Sequence, residues 1–345
     1  MDPQVAADEL VDLVQRLVQI DTSNPPGHEE PAANVLATTL ADAGLEISHQ
    51  PLAPGRANLI GRWRGRGERP ALLLCGHTDT VPADPAQWRH APHSGLILGD
   101  VLYGRGSVDM KGGLAAMAMA TVALARAGIR LGGDIILIAT AGEEVDCLGA
   151  RHLSSTDIGP VGALVVGEPT RLAAVVAHKG ALWLKLTTRG KAAHASLPDQ
   201  GINAICAMHR VIDRLLAYRP PHTVHPLLGS PTMNLGTIQG GTKTNIVPDY
   251  CHLTVDFRTL PGQSHRQIEG DVQALLAALA QEDPTFRAEC TVVNDRAPVE
   301  TSADAPFIQV AMRVGCEMLP HPLTPQGIIY YTDASVLTPL LGVPT

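Results

Sequence analysis

Aromatic side chains are scarce, with 3 Phe, 3 Trp and 5 Tyr in 345 residues. A core without them must be built from Leu, Val, Ile and Ala. Long apolar runs are missing too. None approaches the ~20 residues of a membrane span, so no membrane partner is expected. The first residues are acidic and amphipathic, not charged and then apolar, which argues against a signal segment. Basic residues cluster only between Arg62 and Arg69, and this stretch reads as a solvated turn. With a formal net charge of −8, a nucleic-acid partner, which would want a basic face, is not expected. The six cysteines (Cys75, Cys147, Cys206, Cys251, Cys290, Cys316) contain no CxxC pair. Several fall within apolar patterns, which predicts free buried thiols in a reducing, cytoplasmic setting.

What is present is an ordinary globular composition, 45% hydrophobic and 17% charged, long enough for two domains with a sizeable core. Val5, Leu10, Val14, Leu17 and Val18 fall at helical spacing and stop before the breaker Asn24-Pro25-Pro26-Gly27. A second helix is expected from Pro31 to Ala43, with Gly44 as its stop. Strands are expected near Ile47, at Leu59–Trp63, Ala71–Cys75, Asp134–Thr140 and Val161–Val166, with an Ala- and Met-rich helix from Leu114 to Ala127. Strands alternating with helices predict an α/β fold with a mainly parallel sheet covered on both faces. After Lys179 the pattern changes to strand-helix-strand-strand-helix-strand, a ferredoxin-like α+β arrangement. The expected organisation is a catalytic segment over 1–178, an inserted lid or dimerisation domain over 179–294, and a return to the catalytic domain over 295–345.

Chemistry concentrates at predicted strand ends. His77 and Asp79 stand two residues apart after an apolar strand and a glycine, so extended backbone would project both from one face. A histidine beside a carboxylate is a common pairing at a metal. Asp109, Glu143/Glu144 and Glu168 also follow strands or turns, and ligands of open α/β sheets bind outside the carboxyl ends of strands. Glu143 or Glu168 alone reads first as a solvated strand end. Together the clusters predict one acidic rim that needs cations, and His, Asp and Glu suit zinc, cobalt or manganese better than calcium or magnesium.

Six ordered motifs carry a resemblance over nearly the whole chain: GHTDTVP (76–82), GRGSVDMKGG (104–113), AGEE (141–144), GEPT (167–170), GKAAHASLPDQGINAI (190–205) and DFRTLPG (256–262). The chain resembles the acetylornithine deacetylase / succinyl-diaminopimelate desuccinylase group of zinc metallopeptidases, which also holds aminoacylases and glutamate carboxypeptidases. The resemblance implies two Zn2+ per complete site, with Co2+ or Mn2+ as alternatives. His77, Asp109 and Glu168 would serve the first metal, with Asp109 bridging, and Glu144 the second. Asp79 would orient His77, and Glu143 would be the general base that takes a proton from water and delivers it to the departing amine. His194 resembles the histidine that stabilises the tetrahedral oxyanion, in many members across a dimer; by itself it reads as a surface residue. Arg258 would clamp a substrate carboxylate, or form a lid salt bridge with Asp256. Asn245 and Asp333 are expected at the same cleft. His178 reads as a hinge residue and not as a ligand.

Relatives in this group continue past the equivalent of LLGVPT with a GPG turn and a histidine that ligates the second metal. Here the chain stops at Thr345, and His321 comes too early to replace that ligand. The expectation is a first metal site complete in sequence and a second lacking a ligand, with apolar sheet surface left uncovered. The expected function is hydrolysis of an N-acyl amino acid, acetylornithine deacetylase-like or desuccinylase-like, by a homodimer formed through the lid. The alternatives are a dipeptidase or carboxypeptidase of the same group and a catalytically impaired metal-binding or dimer-forming paralogue.

Overall fold

The computed structural model describes residues 5–345; the first four residues of the expected catalytic segment lie outside it. The chain forms two compact units, one of 1–176, 301–325 and 332–345, the other of 177–300 and 326–331.

The first unit begins with α1 (Ala7–Gln19) and α2 (Glu30–Asp42), followed by β1 (Glu46–Ala53), β2 (Arg56–Trp63) and β3 (Ala71–His77). A small hairpin, β4 (Leu96–Leu98) and β5 (Val101–Tyr103), leads to α3 (Lys111–Arg126) and β6 (Ile135–Thr140). Three short helices, α4 (Glu143–Asp146), α5 (Leu148–His152) and α6 (Ser155–Ile158), precede β7 (Val161–Val166). The main sheet has the order β1-β2-β6-β3-β7. β3 pairs in parallel with both β6 and β7, while β2 pairs antiparallel with β1 and β6, so β2 alone runs against the other four.

That direction matters for function, because the carboxyl ends of β3, β6 and β7 fall on one edge of the sheet. β6 (IILIAT) is buried along its whole length, as a strand covered on both faces requires. The helix α3 buries Leu114, Ala115, Ala118, Met119 and Val122 against Leu13, Leu17, Leu36 and Leu40 of α1 and α2. Each fully buried Leu of this kind contributes ~1.5–3 kcal/mol, so this core is built mainly of aliphatic side chains, with Trp63 packed against it. Small residues let it close. At Gly113 a Cβ would run into the main-chain oxygen of Gly167, so only glycine lets the start of α3 approach the exit of β7.

The second unit contains β9 (Gly180–Arg189), α7 (Ala204–Ala217), β10 (Thr232–Gly240), β11 (Tyr250–Thr259), α8 (His265–Glu282) and β12 (Arg287–Arg296), following the short β8 (Ala174–His178). Its antiparallel sheet has the order β10-β11-β9-β12, which is the ferredoxin-like arrangement the alternation predicts. Leu182, Leu184 and Leu186 join Cys251, Leu253, Val255 and Phe257 on the covered face, against Met208, Val211 and Leu215 of α7 and Ile268, Val272 and Leu279 of α8. β13 (Val299–Glu300) and β14 (Pro325–Ile328) flank β8 in a separate three-stranded sheet. α9 (Pro306–Met318) and α10 (Ala334–Leu341) are the last helices.

Three of the six cysteines are buried, Cys75, Cys147 and Cys251; Cys206 and Cys316 are exposed, and all are free thiols. Among the described residues no helix is long and apolar enough to cross a membrane.

Candidate metal centre

His77 is the last residue of β3, in register beside Thr140, the last residue of β6. Its ring is buried, with Nε2 3.2 Å from Asp109 Oδ1 and 3.8 Å from Glu168 Oε1. One ligand atom from each of His77, Asp109 and Glu168 lies within 4.8 Å of the others. Three separate segments thus meet at one corner: the exit of β3, the loop before α3, and the loop after β7. The Asp109 side chain is half exposed at 51%, and that of Glu168 only 8%, so the corner opens to solvent on one side.

Glu143 and Glu144 stand next to it on helical backbone. Extended backbone would have turned them to opposite faces, but they open the short helix α4, and Gly142 before them has φ +80. In a helix consecutive side chains diverge by about 100°, so the two carboxylates still take different directions. Glu143 is buried at 7% exposure. Glu144 is half-buried, and its Oε1 accepts the Val81 N–H at 3.2 Å.

Asp79 is a hub of this arrangement. Its Oδ1 accepts the Glu143 N–H at 3.0 Å, and its Oδ2 accepts the Glu144 N–H at 3.2 Å and Asn24 Nδ2 at 2.8 Å. The expected carboxylate–imidazole contact is indirect: His77 Nδ1 lies 2.9 Å from the Asp79 main-chain oxygen and 3.5 Å from Oδ1. The main-chain oxygen therefore fixes the ring through Nδ1–H and turns Nε2 toward Asp109 and Glu168.

Electrostatics agree with a cation-binding corner. Burial pushes Glu143 well above the usual carboxylate range, with Asp333, Glu168 and Asp79 adding repulsion against the pull of His77. Burial raises Glu168 to about 7, again with like charges from Asp109, Asp333 and Glu144. Burial disfavours a charged His77, yet Asp109, Asp79, Glu143 and Glu168 together raise it well above its ordinary value. One imidazole amid so many carboxylates is the situation a dication resolves, and an N/O donor set fits zinc and its neighbours. The residues present therefore fit a divalent metal.

Asp333 departs from the expected cleft position. It is 1% exposed, and its Oδ2 accepts Thr140 Oγ1 at 2.6 Å and the Cys75 thiol at 3.9 Å. Glu143, Cys147 and Asp333 form a second close group, all buried. Asp333 is thus held from within the first unit, close to Glu143.

The second unit holds the other expected residues. His194 is exposed, its Nδ1 2.7 Å from Ser196 Oγ. Asn245 is exposed, and its main-chain oxygen accepts the Ala195 N–H at 3.0 Å, so the two expected residues are neighbours. Arg258 donates from Nε to Asp256 Oδ2 at 3.1 Å, and its guanidinium lies 5.8 Å from the Tyr331 ring centre. His178 is buried, with Nδ1 2.9 Å from the Lys179 main-chain oxygen, and burial lowers it to about 4; it is a neutral core histidine. Four residues of the first unit that sequence reading did not single out support the site: Asn24, Asn58, Thr140 and Lys111. Asn58 Oδ1 accepts the Ala141 N–H at 3.1 Å and its Nδ2 donates to the Gly149 main-chain oxygen at 2.9 Å, clamping the turn that carries Glu143.

The comparisons define the class, a metal-dependent hydrolase acting on amides, and give its family. Residues 58–166 match the pattern of peptidase family M28, and residues 176–284 match the M20 peptidase dimerisation domain. The acetylornithine deacetylase of Photorhabdus laumondii is 38% identical over 277 residues, covering 77% of this chain and 69% of its own. That of Vibrio cholerae is 34% identical over 317 residues, covering 90% and 81%. Among solved structures, the aminopeptidase PepT of Bacillus cereus superposes with a TM-score of 0.77 at 24% identity, over 99% of this chain and 89% of its own. The M20 family metallo-carboxypeptidase of Sulfolobus solfataricus gives 0.76 at 18% identity, over 98% and 90%. The chain belongs to the M20 family of metallopeptidases and deacetylases.

Proposed function

We propose that this protein hydrolyses the amide bond of an N-acyl amino acid bearing a free carboxylate, with acetylornithine-type substrates first in line. The observation that carries the reading is the meeting of His77, Asp109 and Glu168 ligand atoms within 4.8 Å, beside the buried Glu143. Acetylornithine deacetylases at 34–38% identity over most of the chain support the substrate class.

In this reading His77, Asp109 and Glu168 would hold one divalent ion, and Glu144 would contribute to holding a second. Bound there, such ions supply Lewis acidity and lower the pKa of water. The chain supplies the rest. The Glu143 main chain is anchored by its N–H on Asp79, and its buried carboxylate takes a proton from water and later gives it to the leaving amine. The burial that pushes Glu143 upward makes it a stronger base than a solvated carboxylate. His194, with Nδ1 engaged by Ser196, keeps Nε2 for an acyl oxygen that gains charge. A donor of that kind contributes about 3–4 kcal/mol to the barrier reduction. Arg258 offers its unengaged guanidinium nitrogens to the substrate carboxylate, and Asn245 offers a further polar contact. The dimerisation-domain match over residues 176–284 supports a homodimer.

The test is metal analysis of the purified chain together with amidase assays on N-acetylornithine, other N-acyl amino acids and dipeptides. Bound metal, turnover of an N-acyl amino acid, and a loss of about 10²–10⁴-fold in kcat for Glu143→Ala are expected. Preference for dipeptides would move the protein to the peptidase side of its family. No metal and no turnover on any amide would overturn the reading.

A further inference from the structure

The segment between α1 and α2 contains Asn24-Pro25-Pro26-Gly27, which interrupts helix and is easily dismissed as a connection. Its contacts show another role. Residues 22–24 lie along the loop that carries His77 and Asp79. Thr22 Oγ1 donates to the Thr78 main-chain oxygen at 2.7 Å. The Thr80 N–H donates to the Thr22 oxygen at 3.2 Å, and the Asn24 N–H donates to the Thr80 oxygen at 2.8 Å. Ser23 and Thr80 form a parallel bridge. At the end of this ladder Asn24 Nδ2 reaches Asp79 Oδ2 at 2.8 Å. Asn24 is 4% exposed and Asp79 is fully buried.

The other end of the same segment is tied to the second ligand loop. Lys111, two residues beyond Asp109, is fully buried, and its Nζ donates to the main-chain oxygens of Leu17 and Ile20, 2.9 Å each. Both carbonyls lie in the turn that ends α1, where the Leu17 oxygen also accepts the Ile20 N–H at 3.3 Å. Residues 17–24 therefore span from the loop of Asp109 to the loop of His77.

We infer that residues 17–24 act as a strap that positions both ligand loops, and that Asn24 is a positioning residue acting through Asp79 on the Glu143–Glu144 pair. The inference rests on the reading of His77, Asp109 and Glu168 as metal ligands. The choice of asparagine has a chemical reason. Asp79 Oδ2 shares its surroundings with the Glu144 N–H and needs a second donor, and a neutral amide supplies one at any working pH. Alanine at position 24 removes that donor, and aspartate sets a second carboxylate against Asp79. Either change frees the Asp79 carboxylate to move, and both main-chain N–H groups bound to it belong to the proposed base and the proposed second-metal ligand. The strap thus couples a segment without chemistry of its own to the geometry of the site.

The experiment compares wild type with Asn24→Ala and Asn24→Asp as full-length, zinc-loaded protein on a panel of N-acyl amino acids. It reads kcat and KM separately, metal affinity by competition with a chelator, and melting of the metal-free protein. Removal of a group that orients a metal site costs about 10–100-fold in activity or metal affinity. Both variants are expected to lose that much kcat or metal affinity, Asn24→Asp at least as much as Asn24→Ala, with little change in KM. Retention of kcat and metal affinity near wild type overturns the inference, as does a fall in melting temperature alone, which marks a merely structural asparagine. If Asn24→Ala does not fold, Thr22→Val removes only the hydroxyl bond to Thr78, and kcat is expected to fall several-fold; unchanged kcat then overturns the strap. A wild-type protein that takes up no metal and cleaves no amide overturns the ligand reading beneath the inference, and the inference with it.

Discussion

His77 and Asp79 are coupled through main chain more closely than through side chain: Nδ1 lies 2.9 Å from the Asp79 carbonyl oxygen but 3.5 Å from its carboxylate. The carboxylate is turned instead to the N–H groups of Glu143 and Glu144 and to Asn24. Burial pushes the Asp79 carboxyl up, but bonds and charge from His77, with Asn24 and the Glu143 N–H, outweigh it and hold the group below its ordinary value. It is an anion that organises the start of α4 as much as the ring beside it.

Asp79→Asn tests that division of labour. An amide presents its NH2 to groups that are themselves donors, so at least one N–H loses its acceptor, at a cost of about 1–3 kcal/mol in stability. Activity is expected to fall about 10–100-fold with the ring still held by main chain. Steady-state kinetics and thermal melting check both. Unchanged kcat would show that α4 keeps its place without the carboxylate.

Metal removal should cost stability as well as activity. An ion that binds the folded chain alone stabilises it by about 2.7 kcal/mol at a hundred times its Kd. Here it would also relieve repulsion among Asp109, Glu144 and Glu168. Chelator-treated protein is expected to melt at lower temperature, and readdition of Zn2+ or Co2+ to restore it. Equal melting curves for treated and untreated protein would argue against ligation at this corner.

Arg258 separates two roles by kinetics. As a clamp on a substrate carboxylate its loss removes a charged hydrogen-bond pair of about 1.5–3 kcal/mol, so Arg258→Ala should raise KM by an order of magnitude or more, and Arg258→Lys should not restore it. A variant with wild-type KM and reduced melting temperature would assign Arg258 to its contacts with Asp256 and Tyr331 instead.

Acid sensitivity of the first unit can be read at Asp134. Burial raises this carboxyl, but the Arg62 side chain at 2.9 Å and the Gly65 N–H outweigh it and hold it below the ordinary value. The folded state then binds fewer protons than the unfolded chain in the acid range, so stability rises with pH there. The contribution is complete above the ordinary carboxylate pKa and is lost as pH falls through the depressed folded value. Asp134→Asn is expected to be less stable than wild type at neutral pH, with the gap closing below about pH 4. A gap that persists at lower pH would assign the loss to packing.

Much of this was readable in one dimension. The apolar run of β6, the alternation of β9 and β11, and the α7 and α8 periodicities fix elements by period alone. The clusters His77/Asp79, Asp109, Glu143/Glu144 and Glu168 were visible because short-range spacing and strand ends are local properties. Asn24 and Lys111 were not. Asn24 sits in a breaker whose composition says turn and nothing more, and Lys111 opens an Ala-rich helix. Their roles come from partners that are 55 and about 90 residues away, and no local pattern carries such a pairing. The bond of Asp333 to Thr140, 193 residues away, likewise leaves no mark on its neighbours in sequence.

The sequence by itself determined which stretches become strand or helix, the acidic character of the rim and the family, since each depends on residue type and near spacing. Only the tertiary structure decided that β3, β6 and β7 end on one edge, that the His77 ring leans on main chain, and that the Asp79 carboxylate serves α4. Those outcomes depend on the register of β3 between β6 and β7 and on where hydrogen-bond donors of distant segments come to rest. Buried polar groups must find partners wherever the fold provides them, and the fold sets which ones they find.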